Sequence, residues 1–160
     1  MKDQPSIEKL DLDILKKLSE DGRTNYHQIA TDLGRSPVTI KKHVTELDEN
    51  GIIKGYGISI DYEKLGYNIV AIIEITISKG KMLEIEDKIA ENPNVFGVYD
   101  ITGDYDALIL ARFKDRTELS AMVKELHSYV NIERTNTHII LNVIKEGTSF
   151  SQLMQKENIE

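Results

Sequence analysis

The stretch from Asn25 to Gly51, NYHQIATDLGRSPVTIKKHVTELDENG, reads as two helices joined by a turn too short to separate them. Its second half carries the punctuation of a well-defined helix. Ser36 stands where a hydroxyl accepts from free amides, Pro37 takes the first helical position, and Asn50-Gly51 ends the run. Ile40, Val44 and Leu47 fall at i, i+4 and i+7, one narrow apolar stripe at about 100° per residue. Nearly opposite lie Val38, Lys42 and Thr45, flanked by Thr39 and Lys41, with Arg35 and Ser36 at the leading end. That outward face suits an anionic polymer. In the first half, Asn25 and Gln28 have capping-box spacing, and Tyr26, Ile29, Ala30 and Leu33 form the inward face. Gly34 stops this helix, so only Arg35 and Ser36 remain for the turn.

Upstream, Ile7, Leu10, Ile14, Leu15 and Leu18 recur at helical intervals before Gly22, which completes a three-helix unit over residues 1–55. Downstream the period changes. Tyr56, Ile58 and Ile60 alternate as in an extended hinge strand, and YEKLGY makes a short turn, so residues 56–67 are read as a linker. From Asn68 strands and helices alternate. Ile69 to Ile77 is a β-branched, buried strand; Met82, Ile85 and Ile89 mark a helix ending near Asn92-Pro93. Val95 to Ile101 and Asp106 to Phe113 are two strands about a hairpin turn at Gly103-Asp104. Asp115 and Glu118 open a helix through Leu119, Met122, Val123 and Leu126, and Ile132 to Ile144 is a long last strand. The order is βαββαβ, so residues 68–146 form a ferredoxin-like domain with both helices on one sheet face. The whole is α+β: a winged or helix-turn-helix domain, then a ferredoxin-like one. The tail, residues 147–160, either adds a turn or two of helix around Leu153 or frays.

Composition excludes several classes. The 160 residues are 40% hydrophobic and 29% charged, as in a soluble globular chain, and no stretch approaches a membrane span. With no cysteine there are no disulfides or thiolate metal sites, in keeping with a cytoplasmic setting. The net charge of −7 opposes nucleic-acid binding until it is divided along the chain. Residues 1–55 hold nine Lys/Arg against ten Asp/Glu, whereas the remainder hold eleven against seventeen. The acidity sits in the second half, which leaves Arg35, Lys41, Lys42 and His43 free to make a local positive patch.

Three stretches together carry a family resemblance: LDLDILKKLSEDGRTNYHQIATDLGRSPVTIKKHVTELDENGIIKGYGISIDYEKLGY, VYDITGDYDALI and IERTNTHIIL. The chain resembles the Lrp/AsnC, or leucine-responsive feast/famine, transcription regulators, and archaeal members in particular. The resemblance implies a DNA-binding helix-turn-helix, a hinge strand, and a C-terminal domain, of the type also called RAM or ACT-like, that forms homodimers or octamers and in many members senses amino acids. By position it implies that Arg35, Ser36, Val38, Thr39, Lys41, Lys42 and Thr45 face double-stranded DNA. It also implies that Gly103, Asp104 and Asp106, with Thr135 and Thr137, hold an amino acid effector; no other cofactor and no metal is implied.

The chemistry fits these roles. A recognition helix reads base edges near its N-terminus, where Val38 meets a thymine methyl and Thr39 a base edge, while Lys41 and Lys42 meet phosphate. Asp104 or Asp106 accepts from an ammonium, hairpin amides and threonine hydroxyls donate to a carboxylate, and Thr135 and Thr137 share one side of their strand. Plainer readings stand beside these: a solvated helix face, an ordinary Gly-Asp turn and strand-forming threonines. His27, His43, His127 and His138 are scattered, with His43 read as a helix-surface residue, and no nucleophile elbow or phosphate loop is present, so catalysis is discounted. The Asp100, Asp104 and Asp106 group is read as hairpin chemistry before a cation site. The alternative functions are an architectural DNA-packaging oligomer of low specificity and an amino-acid-binding module acting on an enzyme.

Overall fold

The computed structural model describes residues 6–78, 82–147 and 149–156, without the side chains of residues 82 and 83, so the Met82 side chain assigned to a helical face lies outside the described ones. The chain forms two compact units: Met1–Ser59 together with Lys145–Glu160, and Ile60–Ile144.

The first unit holds α1 (Lys9–Glu20), α2 (Tyr26–Leu33) and α3 (Pro37–Glu49). Their apolar stripes meet in one core of Ile14, Ile29, Ala30, Ile40, Val44 and Leu47, against which Leu10, Leu15, Leu18 and Leu33 pack. Each enclosed isoleucine or valine contributes roughly 1.5–3 kcal/mol relative to exposure. Tyr26, expected inward, is instead an exposed residue in the first turn of α2, at the rim of a cleft it shares with Leu18, Gly22 and Tyr56. Asn25 caps α2 by accepting from the Gln28 amide at 2.9 Å, but the Gln28 side chain donates to Asp32 at 2.8 Å, so only half of the capping box forms. Beyond Gly51, in left-handed backbone at φ 69°, the amides of Ile52 and Ile53 both donate to the Leu47 carbonyl, which returns these side chains to the core.

Residues 54–60 belong to no helix or strand, and Tyr56, Ile58 and Ile60 are exposed. The alternation is present, yet no ladder forms, because an extended segment becomes a strand only beside a neighbour that takes up its backbone groups.

The second unit runs β1 (Ile69–Ile77), α4 (Met82–Ala90), β2 (Val95–Asp100), β3 (Ala107–Phe113), α5 (Arg116–Ser128) and β4 (Ile132–Ile139). All strand pairs are antiparallel, in the order β2-β3-β1-β4. Ala71, Ile73, Ile75 and Ile77 on β1, with Ala107, Ile109, Ala111 and Phe113 on β3, bury against Ile85 and Ile89 of α4 and Leu119, Met122 and Leu126 of α5. The intervening residues, Ile72, Glu74, Leu108 and Leu110 among them, lie half-buried on the opposite face. Thus β1, apolar enough to look enclosed on both sides, is fully buried on alternate residues only. Asp115 caps α5 through the Thr117 and Glu118 amides, while Glu118 accepts from Lys114 instead of Asp115.

β4 stops at Ile139, short of the expected Ile144. Its last ladder bond runs from the Ile140 amide to the Val70 carbonyl at 2.9 Å, and β1 begins at Ile69, so Leu141, Val143 and Ile144 find no strand to pair with among the described residues and are exposed. The tail does form a helix, α6 (Phe150–Lys156), and it belongs to the first unit. Ser151 donates to Glu20 at 2.8 Å, and Phe150 lines a cleft with Leu15, Leu18, Ile52, Ile53 and Tyr56.

Candidate nucleic-acid interface and ligand site

The turn between α2 and α3 is as short as the residues require. Gly34 adopts left-handed backbone at φ 61° and ψ 41°, and the Arg35 amide returns to the Ala30 carbonyl at 2.9 Å. Ser36 then caps α3, its hydroxyl accepting from the Thr39 amide at 3.1 Å, with Pro37 at the head of the helix. The geometry makes Arg35 and Ser36 the leading edge of α3.

At about 100° per residue, Val38, Lys41, Lys42 and Thr45 share one sector opposite the buried Ile40, Val44 and Leu47. All four are exposed, Val38 by 78%, which leaves a large apolar side chain in open water beside two ammonium groups. Thr39 differs from its neighbours: it is half-buried, and its hydroxyl lies 2.8 Å from that of Ser36. Lys42 is not a bare cation either, because Glu46 stands one turn on at 3.6 Å. His43, expected on the surface, is turned inward toward α1, where Nδ1 lies 2.7 Å from Asp11 Oδ1 and the imidazole is only 14% exposed.

In the second unit the structure brings four of the five candidate ligand residues to one end of the sheet. The Ile101 amide donates to the Asp106 carbonyl at 3.0 Å, leaving Thr102 to Tyr105 as the turn, with Gly103 at φ 128°. Asp104 is exposed at its tip. Asp106 is a structural residue: its carboxylate accepts from the Ile77 amide at 2.7 Å and its own amide donates to the Ile75 carbonyl at 2.9 Å. Ile75 pairs with both Ala107 and Thr135, so Thr135 lies across β1 from the hairpin, whereas Thr137 is two pairs further along, opposite Ile73. Both threonines are on the helix-covered face, and the Thr135 hydroxyl is taken up by His127 of α5 at 2.6 Å. The sequence reading counts His127 only among the scattered histidines and does not reach the contact of Arg134 over the Tyr105 ring at 5.2 Å. The only sequence cue to either is proximity to the TGDYD and RTNTH stretches, since α5 and β4 are brought together by the sheet.

Asp100 takes no part in a cluster with Asp104 and Asp106. It points to the helix-covered side and meets Glu86 of α4 at the edge of an open cleft of about 450 Å³. Burial, then the neighbouring Asp100 carboxyl, pushes Glu86 up to about 7. Among the described residues no three acidic or histidine groups are arranged to hold a metal ion. Nor is any described helix long and apolar enough to cross a membrane.

Comparison with known proteins agrees with this two-part architecture. Residues 7–54 match the winged helix-turn-helix DNA-binding family and residues 70–150 the Lrp/AsnC ligand binding domain. The HTH-type transcriptional regulator PH1692 of Pyrococcus horikoshii is 39% identical over 140 residues, 88% of this chain and 95% of that protein. Among solved structures, AsnC of E. coli superposes with a TM-score of 0.85 at 28% identity, over 90% of this chain and 98% of that one. NMB0573 of Neisseria meningitidis, a transcriptional regulator solved as its L-Met complex, gives 0.82 at 26% identity, over 90% and 96%. With both domains matched in order and archaeal relatives aligned over most of their length, the chain belongs to the Lrp/AsnC family of transcriptional regulators and is not an enzyme.

Proposed function

We propose that this regulator recognises a specific double-stranded DNA site through α3, as a dimer whose two copies each read half a site, and that its second unit takes an α-amino acid at the hairpin end of the sheet. The observation that carries the DNA reading is the outward sector of α3. An exposed Val38 between Lys41 and Lys42, led by Arg35 and Ser36, combines an apolar contact for a thymine methyl with cations for phosphate. One such helix offers too little contact for tight specific binding, which is the reason for two half-sites.

The open face of the second unit's sheet supports the dimer. Ile72, Leu108 and Leu110 lie at its centre, with Glu74 on β1 and Arg112 and Arg134 on the flanking strands, so the face carries both signs of charge and is complementary to a copy of itself. For the effector, Gly103 and Asp104 are exposed at the turn, and the L-Met complex of NMB0573 is the precedent for an amino acid in such a fold. Asp104 would accept from the ammonium and the turn amides would donate to the carboxylate.

Selection of bound sites from random DNA, with and without each amino acid, tests the whole reading. A dyad-symmetric motif whose occupancy changes with an amino acid is the expected result. A motif-free pool would instead point to a packaging protein, and a motif indifferent to all amino acids to a constitutive regulator.

A further inference from the structure

The chain crosses between its two units twice. It leaves the first unit through residues 54–60 and returns through residues 140–149, both without helix or strand, before α6 lies down against α1. A seven-residue helix is too short to persist by itself in water, so α6 exists because it is docked. Its inward side is Phe150, Ser151 and Met154, and its other described residues are exposed. Ser151 reaches Glu20 at the end of α1, and Phe150 lines the cleft with Leu15, Leu18, Ile52, Ile53 and Tyr56. Ile52 and Ile53 are packed on the core of the first unit, and Tyr56 stands in the outgoing connection. Phe150 therefore seats the returning connection beside the outgoing one. The match to the ligand-binding family ends at residue 150, so the rest of α6 lies beyond it.

Resting on the reading that two copies each read half a site, we propose that Phe150 is a positioning residue for that recognition. Through it the tail straps the DNA-binding unit and fixes the helical phase between the two half-sites.

A rigid body held by one extended segment swivels about that segment's soft backbone dihedrals. Two segments entering side by side still bend as a hinge, but turning the body winds one about the other. At full extension the outgoing residues span about 25 Å and the returning ones about 35 Å, so the slack that could absorb winding is bounded. On B-form DNA a half-site moved by about five base pairs, half a helical turn, comes round to the opposite side of the duplex. A unit that cannot swivel cannot follow it. The strap does this without touching the reading face: the neighbours of Phe150 are on α1 and on the segment after α3, while Val38, Lys41, Lys42 and Thr45 stay exposed. Nor is Phe150 part of the three-helix core.

Binding of the full-length chain is measured on duplexes that carry the two selected half-sites at the preferred spacing and at that spacing plus about five base pairs. Two variants are compared with the wild type. Phe150→Asp places a charge in the apolar cleft and releases α6. An insertion of about six glycine and serine residues after the exposed Asn142 lengthens the returning connection and leaves α6 docked. Because the chain has no cysteine, a spin label on Gln152→Cys, at an exposed position of α6, reports docking. The label is expected to be restricted in the wild type and the insertion, and mobile in Phe150→Asp. The wild type should lose at least about tenfold in affinity at the shifted spacing and each variant less than about threefold, with the preferred half-site sequence unchanged. A wild type indifferent to the shift, variants as selective as the wild type, or a label equally restricted in Phe150→Asp overturns the inference. Should Phe150→Asp fail to fold, the insertion decides. If selection on the wild type returns no paired half-sites, the two-copy reading falls and the strap's role with it; paired sites with the variants' spacing preference unaltered sink the strap alone.

Discussion

His43 of α3 and Asp11 of α1 are joined at 2.7 Å across the floor of the DNA-binding unit, with their side chains 14% and 10% exposed. The other oxygen of the same carboxylate accepts from the Glu8 amide at 2.9 Å. Asp11 therefore holds the start of α1 and the orientation of α3 at once. It adds a polar tie between α1 and α3 to the packing of Ile14 against Ile40 and Val44.

Replacing Asp11 leaves a buried imidazole and a helix-end amide without their acceptor. Asp11→Ala should lower the stability of the unit by about 2 kcal/mol in urea denaturation, the scale of an unsatisfied buried polar group. Lys17 and Asp32 also bridge α1 to α2, at 2.7 Å, but across a partly solvated gap. Lys17→Ala should cost under about 1 kcal/mol. Equal losses would show that the histidine contact is no more than a surface pair.

On the outward face of α3 the two lysines are expected to behave differently. Lys41→Ala should weaken binding to all DNA sequences and reduce the slope of log K against log salt by about 0.9. Lys42 is held by Glu46, so Glu46→Gln should strengthen DNA binding by freeing it. A fluorescence anisotropy titration across salt concentrations reads both, and a weaker Glu46→Gln complex would place Lys42 away from phosphate. Val38→Ala should instead alter the selected motif while leaving the salt slope unchanged.

The two hairpin aspartates separate stability from ligand binding. Asp106→Ala removes the acceptor of the Ile77 amide and should lower stability by about 2 kcal/mol. Asp104→Ala, at an exposed turn position, should change stability by less than about 0.5 kcal/mol yet abolish the heat of amino acid titration. Calorimetry on both variants checks this; undiminished binding to Asp104→Ala would move the ammonium site elsewhere.

Glu86 gives the fold its own pH dependence. Its carboxyl, pushed up to about 7 chiefly by burial, keeps its proton in the native state where the unfolded chain has released it. The associated stability is complete below the ordinary carboxylate range and is lost as pH rises toward 7. Melting temperatures of the wild type should fall across that window, and Glu86→Gln should flatten the fall.

Local patterns determined most of the architecture. Ser36, Pro37 and Gly34 act within a few residues of themselves, so their spacing is enough to bound α2 and α3 and to shorten the turn between them. The same holds for the period-two and helical stripes of the βαββαβ unit, and for the outward sector of α3, which follows from the angle per residue. What the chain order does not contain is which partners meet across elements. Whether His43 faces water or Asp11 depends on the packing of α1, far away in sequence. The five residues after Ile139 look like strand, but a strand ends where its neighbour ends, and β1 has begun only at Ile69. Asp104 and Asp106 are equivalent as residue types in a hairpin; only the placement of the Ile77 amide makes one a structural acceptor and leaves the other exposed at the turn. Hydrogen bonds and burial depend on where distant backbone arrives, and for this chain the tertiary structure alone decides that.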